Sequence, residues 1–129
     1  LFPDIHAHPA EFETIRRFRP NLRSNLHPIT GLSSFDLGER VLQVIETPGH
    51  TTGSVCYYVP EEEVVFSGDT LFCESYGRTD LPTGSSSQMV SSLLDKVFAL
   101  PDDTMAYPGH GDTTTIGYEK KNNPIAFYR

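Results

Sequence analysis

Along the chain, hydrophobic and polar residues alternate in some stretches and recur every three to four positions in others, and the two periods predict different elements. Arg40-Val41-Leu42-Gln43-Val44-Ile45-Glu46 is rich in β-branched residues and reads as a strand. Ser54 to Val59 and Glu63 to Phe66 read as two more, joined by the Pro60-Glu61-Glu62 turn into a hairpin. A further strand is expected over Thr104 to Tyr107, and a short one around Ile5 to Ala7. The helical period is clearest from Ser86 to Leu100. There Val90, Leu93, Leu94, Val97 and Phe98 form one apolar stripe, Ser85 with Gln88 fits a capping box, and Pro101 stops the helix. Phe12, Ile15 and Phe18 mark another helix over Ala10 to Phe18, whose Arg16, Arg17 and Arg19 read as a solvated, basic helix end. Pro20 to Ser34 has loop composition, Asp36-Leu37-Gly38-Glu39 has turn chemistry, and a short helix is expected near Ile116 to Lys121.

Composition narrows the class. The 129 residues, 37% of them hydrophobic, suffice for one domain whose core needs neither disulfides nor a structural metal. The sequence has no apolar run long enough to span a membrane and no basic-then-apolar leader. A formal charge of -7 has the wrong sign for general phosphate-backbone binding, so nucleic acid is not expected as a partner. Cys56 and Cys73 form no Cys-x-x-Cys pair, which fits a reducing, cytoplasmic compartment, although one bridge between them stays open. Leu1 opens inside what reads as a structural element, so the chain is expected to be a piece of something longer.

Three strand ends share one arrangement. Thr47-Pro48-Gly49-His50, Phe66-Ser67-Gly68-Asp69 and Tyr107-Pro108-Gly109-His110 each carry a glycine followed by a metal-competent side chain. Glycine lets the backbone turn sharply off a strand, and a rigid sheet can fix the next side chain better than a free loop would. Imidazole and carboxylate together suit zinc, iron or manganese. Each word alone reads equally as a turn or a helix cap. Their recurrence makes His50, Asp69 and His110 the candidate ligands, with convergence of the three ends left to the structure. Cys73, four residues beyond Asp69, reads as a loop thiol and Cys56 as core. Arg78 and Asp80 fit either a pair that braces their own turn or a direct substrate contact. Tyr76, Tyr107 and Tyr118 fit either a pocket mouth or the boundary between core and solvent.

In this order, Thr47-Pro48-Gly49-His50-Thr51-Thr52-Gly53-Ser54, Phe66-Ser67-Gly68-Asp69-Thr70-Leu71-Phe72 and Tyr107-Pro108-Gly109-His110-Gly111 resemble the second half of the metallo-β-lactamase superfamily, most closely its glyoxalase II-like hydrolases. Gly77-Arg78-Thr79-Asp80, Thr115-Ile116-Gly117-Tyr118-Glu119 and Asn123-Pro124 extend the resemblance over nearly the whole chain. It implies an α/β (α+β) fold of the αβ/βα sandwich type, here the C-terminal portion of a single domain over residues 1–129 that is truncated at its N-terminus. His50 would then ligate a first metal, Asp69 would bridge two, and His110 would ligate the second. The family signature His-x-His-x-Asp-His is absent, and His6-Ala7-His8-Pro9 lacks its Asp-His. That segment resembles the strand after the signature, away from the metals, and His27 reads as a surface or turn residue.

For a complete enzyme the resemblance implies metal-hydroxide attack on a thioester such as an acyl-glutathione, with Asp69 holding the metals and Arg78 and Tyr76 as candidate substrate contacts. The expected cofactor is Zn2+, with Fe or Mn as alternatives: two ions in the whole domain, one or none in this chain. Two rival readings remain. One is a persulfide dioxygenase with a single iron, because Gly77-Arg78-Thr79-Asp80 is also found in that branch. The other is a non-catalytic fragment or binding module, because the upstream ligands are missing. Loss of one sheet should also leave an apolar face exposed or covered by a second copy, so a homo-oligomer is expected.

Overall fold

The computed structural model describes residues 4–22, 24–30 and 33–128. Leu1 to Pro3, where the chain opens, and Gly31 of the expected loop lie outside the described residues. Among those described, six strands form one mixed sheet in the order β10-β9-β6-β5-β4-β3. The strands are β3 (Ser34–Leu37), β4 (Arg40–Glu46), β5 (Val55–Val59), β6 (Val64–Gly68), β9 (Met105–Pro108) and β10 (Thr114–Thr115). β3 to β6 form an antiparallel meander, whereas β6 pairs with β9 in parallel after the helical crossover. The expected hairpin is present: Tyr57 faces Phe66, and Val59 faces Val64. Its connection, Pro60–Glu62, is a 3-10 turn that Glu63 closes at φ 52°.

The period of two sorts side chains onto opposite faces. Cys56, Val65 and Ala106 point into the buried core, where Met89, Leu93, Val97, Phe98, Ile116 and Ile125 cover them from the helical side. Phe66 and Tyr107, one position on, occupy the other face and are about two-fifths exposed. A strip of chain covers part of that second face. β1 (Ile5–Ala7) pairs in parallel with β2 (Leu26–Pro28), and His6 lies with Phe35, Leu42 and Tyr57 around one pocket.

The stretch expected to be loop therefore holds β2 and the start of β3. Ile29 is buried there, and its amide bonds to Ala7, so long-range pairing overrides the local Pro and Asn signals. The first helix is also shorter than expected: a 3-10 turn at Pro9–Glu11 leads into α1 (Phe12–Phe18), which buries no residue. Phe18 is largely exposed, so the expected stripe does not reach a core.

The long helix keeps its start and its apolar face but not one uniform winding. Ser85 accepts a bond from the amide of Gln88, and α2 (Ser86–Ser91) begins there. It widens to a π turn over Ser92–Lys96 and tightens to 3-10 over Val97–Ala99. The widening coincides with two tethers to the sheet edge: Ser92 Oγ donates to the Pro48 carbonyl at 2.7 Å, and Lys96 Nζ to the Glu46 carbonyl at 2.7 Å. α3 (Ile116–Asn122) is capped by Thr115. No helix among the described residues is long and apolar enough to cross a membrane.

Candidate functional site

Three loops leave the same edge of the sheet. The first follows β4, where Thr47 is fully buried and its hydroxyl contacts Thr70 at 3.2 Å, tying this loop to the one after β6. Gly49 has φ 149° and sits against Met89, where a β-carbon would come within 2.7 Å of three of its atoms. Glycine is thus required for the loop to press onto α2, and His50 is carried out beyond it. The amide of Gly53 donates to Glu11 Oε1 at 2.9 Å, closing the loop on its other side.

The second loop turns at Gly68 (φ 51°) and presents Asp69. It runs into a small hairpin, β7 (Leu71–Phe72) with β8 (Ser75–Tyr76), and returns through Gly77 and Arg78. The third loop follows β9 and carries His110, with the Gly109 amide bonded to the Gly68 carbonyl at 2.7 Å.

Asp69 is the meeting point. His110 Nδ1 donates to its Oδ1 at 2.9 Å, and His50 Nε2 lies 3.6 Å from its Oδ2. His50 Nδ1 donates to the Arg78 carbonyl at 2.8 Å, which orients the ring so that Nε2 faces the carboxylate. At 3.6 Å the Nε2 and Oδ2 atoms stand farther apart than a hydrogen bond. Two donors, each about 2.1 Å from one tetrahedral ion, stand about 3.4 Å apart, so the donor chemistry and the gap both fit a divalent metal. The fit is partial. His110 spends its nearer nitrogen on Asp69, and among the described residues no three His, Cys, Asp or Glu side chains form a metal-holding cluster.

Two glycines set how closely the loops approach. A β-carbon on Gly109 would stand 2.7 Å from Asp69 Oδ1, and one on Gly77 would stand 1.8 Å from the Asp69 carbonyl oxygen. Neither requirement is visible from spacing alone. The other candidates are placed as follows. Arg78 forms a two-pronged pair with Asp80, at 2.6 and 3.0 Å, that holds the Asp80 carboxyl below its usual range. The Arg78 backbone carbonyl, rather than its guanidinium, touches His50. The Tyr76 hydroxyl donates to Tyr128 at 3.0 Å, an interaction that raises the Tyr76 phenol and does not involve Asp69.

The other histidines lie elsewhere. His6 stacks on His27 and meets Phe35 edge-on, while His8 bonds Glu46. His27 is a half-buried residue of β2 rather than a turn residue. Cys56 is buried and hydrogen-bonded to Thr47, and burial pushes its thiol up to about 11. Cys73 lies beside Thr114 and Tyr118, and both cysteines are free.

Comparison with known proteins agrees with this architecture. The sequence model of the metallo-beta-lactamase superfamily matches residues 2–110. Over 83 residues the chain is 43% identical to the hydroxyacylglutathione hydrolase GloC of Haemophilus influenzae, a match that covers 64% of this chain and 39% of that protein. Among solved structures, the BLEG-1 B3 metallo-beta-lactamase superposes with a TM-score of 0.81 at 34% identity, covering 96% of this chain and 65% of that one. TTHA1623 in a di-iron-bound form superposes with a TM-score of 0.79 at 33% identity, covering 95% and 64%. The chain spans about two-fifths of the length of the curated relatives it matches. The family match, the mixed α/β fold it shares with these structures and the loops that meet at Asp69 agree: this chain belongs to the metallo-beta-lactamase superfamily and carries part of that fold.

Proposed function

We propose that this chain supplies His50, Asp69 and His110 to a metal-dependent hydrolase acting on thioesters of the acyl-glutathione type. The observation that carries the reading is His50 Nε2 held 3.6 Å from Asp69 Oδ2 by the bond from Nδ1 to the Arg78 carbonyl. The relative named as a hydroxyacylglutathione hydrolase supports the substrate class. A bound divalent ion, zinc in this reading, would acidify a water and polarise the thioester carbonyl. The chain's own part is to orient. Asp69 accepts a hydrogen bond from His110 Nδ1 at one oxygen and offers the other toward His50, and the Arg78 carbonyl orients the His50 ring. With three donors on hand, the isolated chain should bind metal weakly and turn over thioester poorly.

The decisive experiment is zinc titration by calorimetry, followed by an acyl-glutathione hydrolysis assay, on the chain and on a version extended upstream. Weak binding by the chain with turnover only in the extended protein supports the proposal. Equal turnover by both would show that the site is complete within these residues. Oxygen consumption with an iron-loaded, persulfide-treated sample would instead favour the dioxygenase reading. We also propose a cytoplasmic location, supported by the two free cysteines, and self-association through the face that exposes Phe66 and Tyr107.

A further inference from the structure

Glu119 is fully buried, with no cationic side chain among the partners it bonds. Its carboxylate is satisfied entirely by neutral donors. The Thr114 hydroxyl donates to Oε2 at 2.6 Å, while the Glu74 amide (2.8 Å) and the Asn123 side-chain amide (2.9 Å) donate to Oε1. Asn123, also fully buried, donates in addition to the Ser75 carbonyl at 2.9 Å, and its own oxygen receives the Ile125 amide. Burying a carboxylate is costly unless its oxygens are hydrogen-bonded, and here the donors come from β10, from the turn at Glu74 and from the C-cap of α3. Glu119 lies on α3 and Asn123 caps its C-terminal end in extended backbone, where the Asn123 side-chain amide meets the Glu119 carboxylate. Together they grip the Glu74 amide and the Ser75 carbonyl, where the Cys73–Glu74 turn passes into β8.

That turn is held in a costly shape. Glu74 has φ 57°, a left-handed conformation that a glutamate adopts only when its surroundings impose it. The turn closes the β7–β8 hairpin, and the two ends of this hairpin are the functional loop. Asp69 precedes it. Gly77, whose amide bonds to the Thr70 carbonyl, and Arg78, whose carbonyl orients His50, follow it.

We propose that Glu119, with Asn123, is a positioning pair for the Asp69–His50 geometry, acting from α3 and its C-cap through the Cys73–Glu74 turn and the first residue of β8. It touches neither residue directly. By fixing the turn it fixes the register of β7 on β8, and hence where the Arg78 carbonyl stands relative to His50. The importance of this geometry for catalysis rests on the function proposed above, but the geometry itself can be read without metal.

The test uses Glu119→Met, which keeps the side-chain length and removes both acceptors, beside Glu119→Gln, which retains an oxygen for Glu74 and Asn123. The readout is nitrogen-15 NMR of the His50 ring in the metal-free chain, which distinguishes a single Nδ1-protonated tautomer from a mixture. Amide shifts of Val65, Leu93 and Ala106 report on the core. We expect Glu119→Met to keep the core shifts and lose the single tautomer, and Glu119→Gln to restore it. A zinc titration of the same variants should show at least a several-fold weaker affinity for Glu119→Met alone.

A folded Glu119→Met with an unchanged His50 signal would overturn the proposal. If that variant does not fold, Asn123→Ser, which removes the donor to Ser75 while leaving Glu119 in place, is read in the same way. Unfolding of both would also overturn it, because the pair would then support the whole fold rather than this turn. Absence of zinc binding in the parent chain, with the tautomer effect intact, would defeat the metal reading and leave the positioning role standing.

Discussion

The two faces of the six-stranded sheet are built from the same alternating strands and end in opposite states. On one, Cys56, Val65 and Ala106 are shut away from solvent by α2 and α3. On the other, Phe66 and Tyr107, paired across β6 and β9 with ring centroids 5.8 Å apart, remain substantially exposed beside a groove rimmed by Arg40 and Glu62. Alternation therefore states that a strand has two faces but not that both find cover. What decides the outcome is the length and winding of the neighbour. α2 and its continuation present Leu93, Val97 and Phe98 in a row, whereas the β1–β2 strip is three residues long and reaches only the Phe35, Leu42 and Tyr57 end.

The contrast should be sharpest when a charge is placed on the covered face. Val97→Asp buries a carboxylate without a partner and should cost on the order of 4 kcal/mol or more, read as a collapse of the denaturant midpoint. An unchanged midpoint would show that this face is less sealed than it looks. Alkali probes the same face more gently. The Cys56 thiol is raised from its ordinary value of 9.0 to about 11 by burial, so above pH 9 the unfolded chain gives up its proton first. Stability should then fall progressively between pH 9 and 11, by roughly 2 kcal/mol in all, and Cys56→Val should remove that component.

At the edge between the faces, Gly109→Ala places a carbon against Asp69 Oδ1. It should cost about 1 to 2 kcal/mol and weaken zinc binding about tenfold, measured by calorimetry. The smallest effect belongs to the open face. Phe66→Ser should change monomer stability by less than about 1 kcal/mol while lowering self-association in sedimentation. A large loss of stability there would mean that the face is already covered.

The strands from β4 to β6 and the apolar stripe of α2 were legible because each is long enough for its period to show. The three words that bring His50, Asp69 and His110 to one end of the sheet were legible because a glycine before a polar side chain at a strand end is a local signal. β1 was expected at Ile5 to Ala7, but its pairing with β2 was not, since β2 is three residues within loop-like composition and lies about twenty residues away. The π widening at Ser92–Lys96 was hidden because its tethers, Pro48 and Glu46, belong to another part of the chain. Glu119 entered the sequence analysis only as the end of the Thr115-Ile116-Gly117-Tyr118-Glu119 word, with no role of its own. Only the fold shows that its neighbours are Thr114, Glu74 and Asn123. The steric demand at Gly77 likewise arises from a contact with Asp69, eight positions back along a hairpin whose strands are two residues long.

The tethers between α2 and the loop after β4 bear on motion as well as shape. Ser92 holds the Pro48 carbonyl, the Gly49 carbonyl accepts the Ser85 amide, and Gly49 itself is pressed against Met89. The loop that bears His50 cannot swing away without unlatching the start of α2. The two should therefore open as one cooperative unit, so that amide protons at Gly49, Ser85 and Met89 exchange with solvent at a common free energy. His110, on the exposed loop across from them, should fluctuate independently and faster.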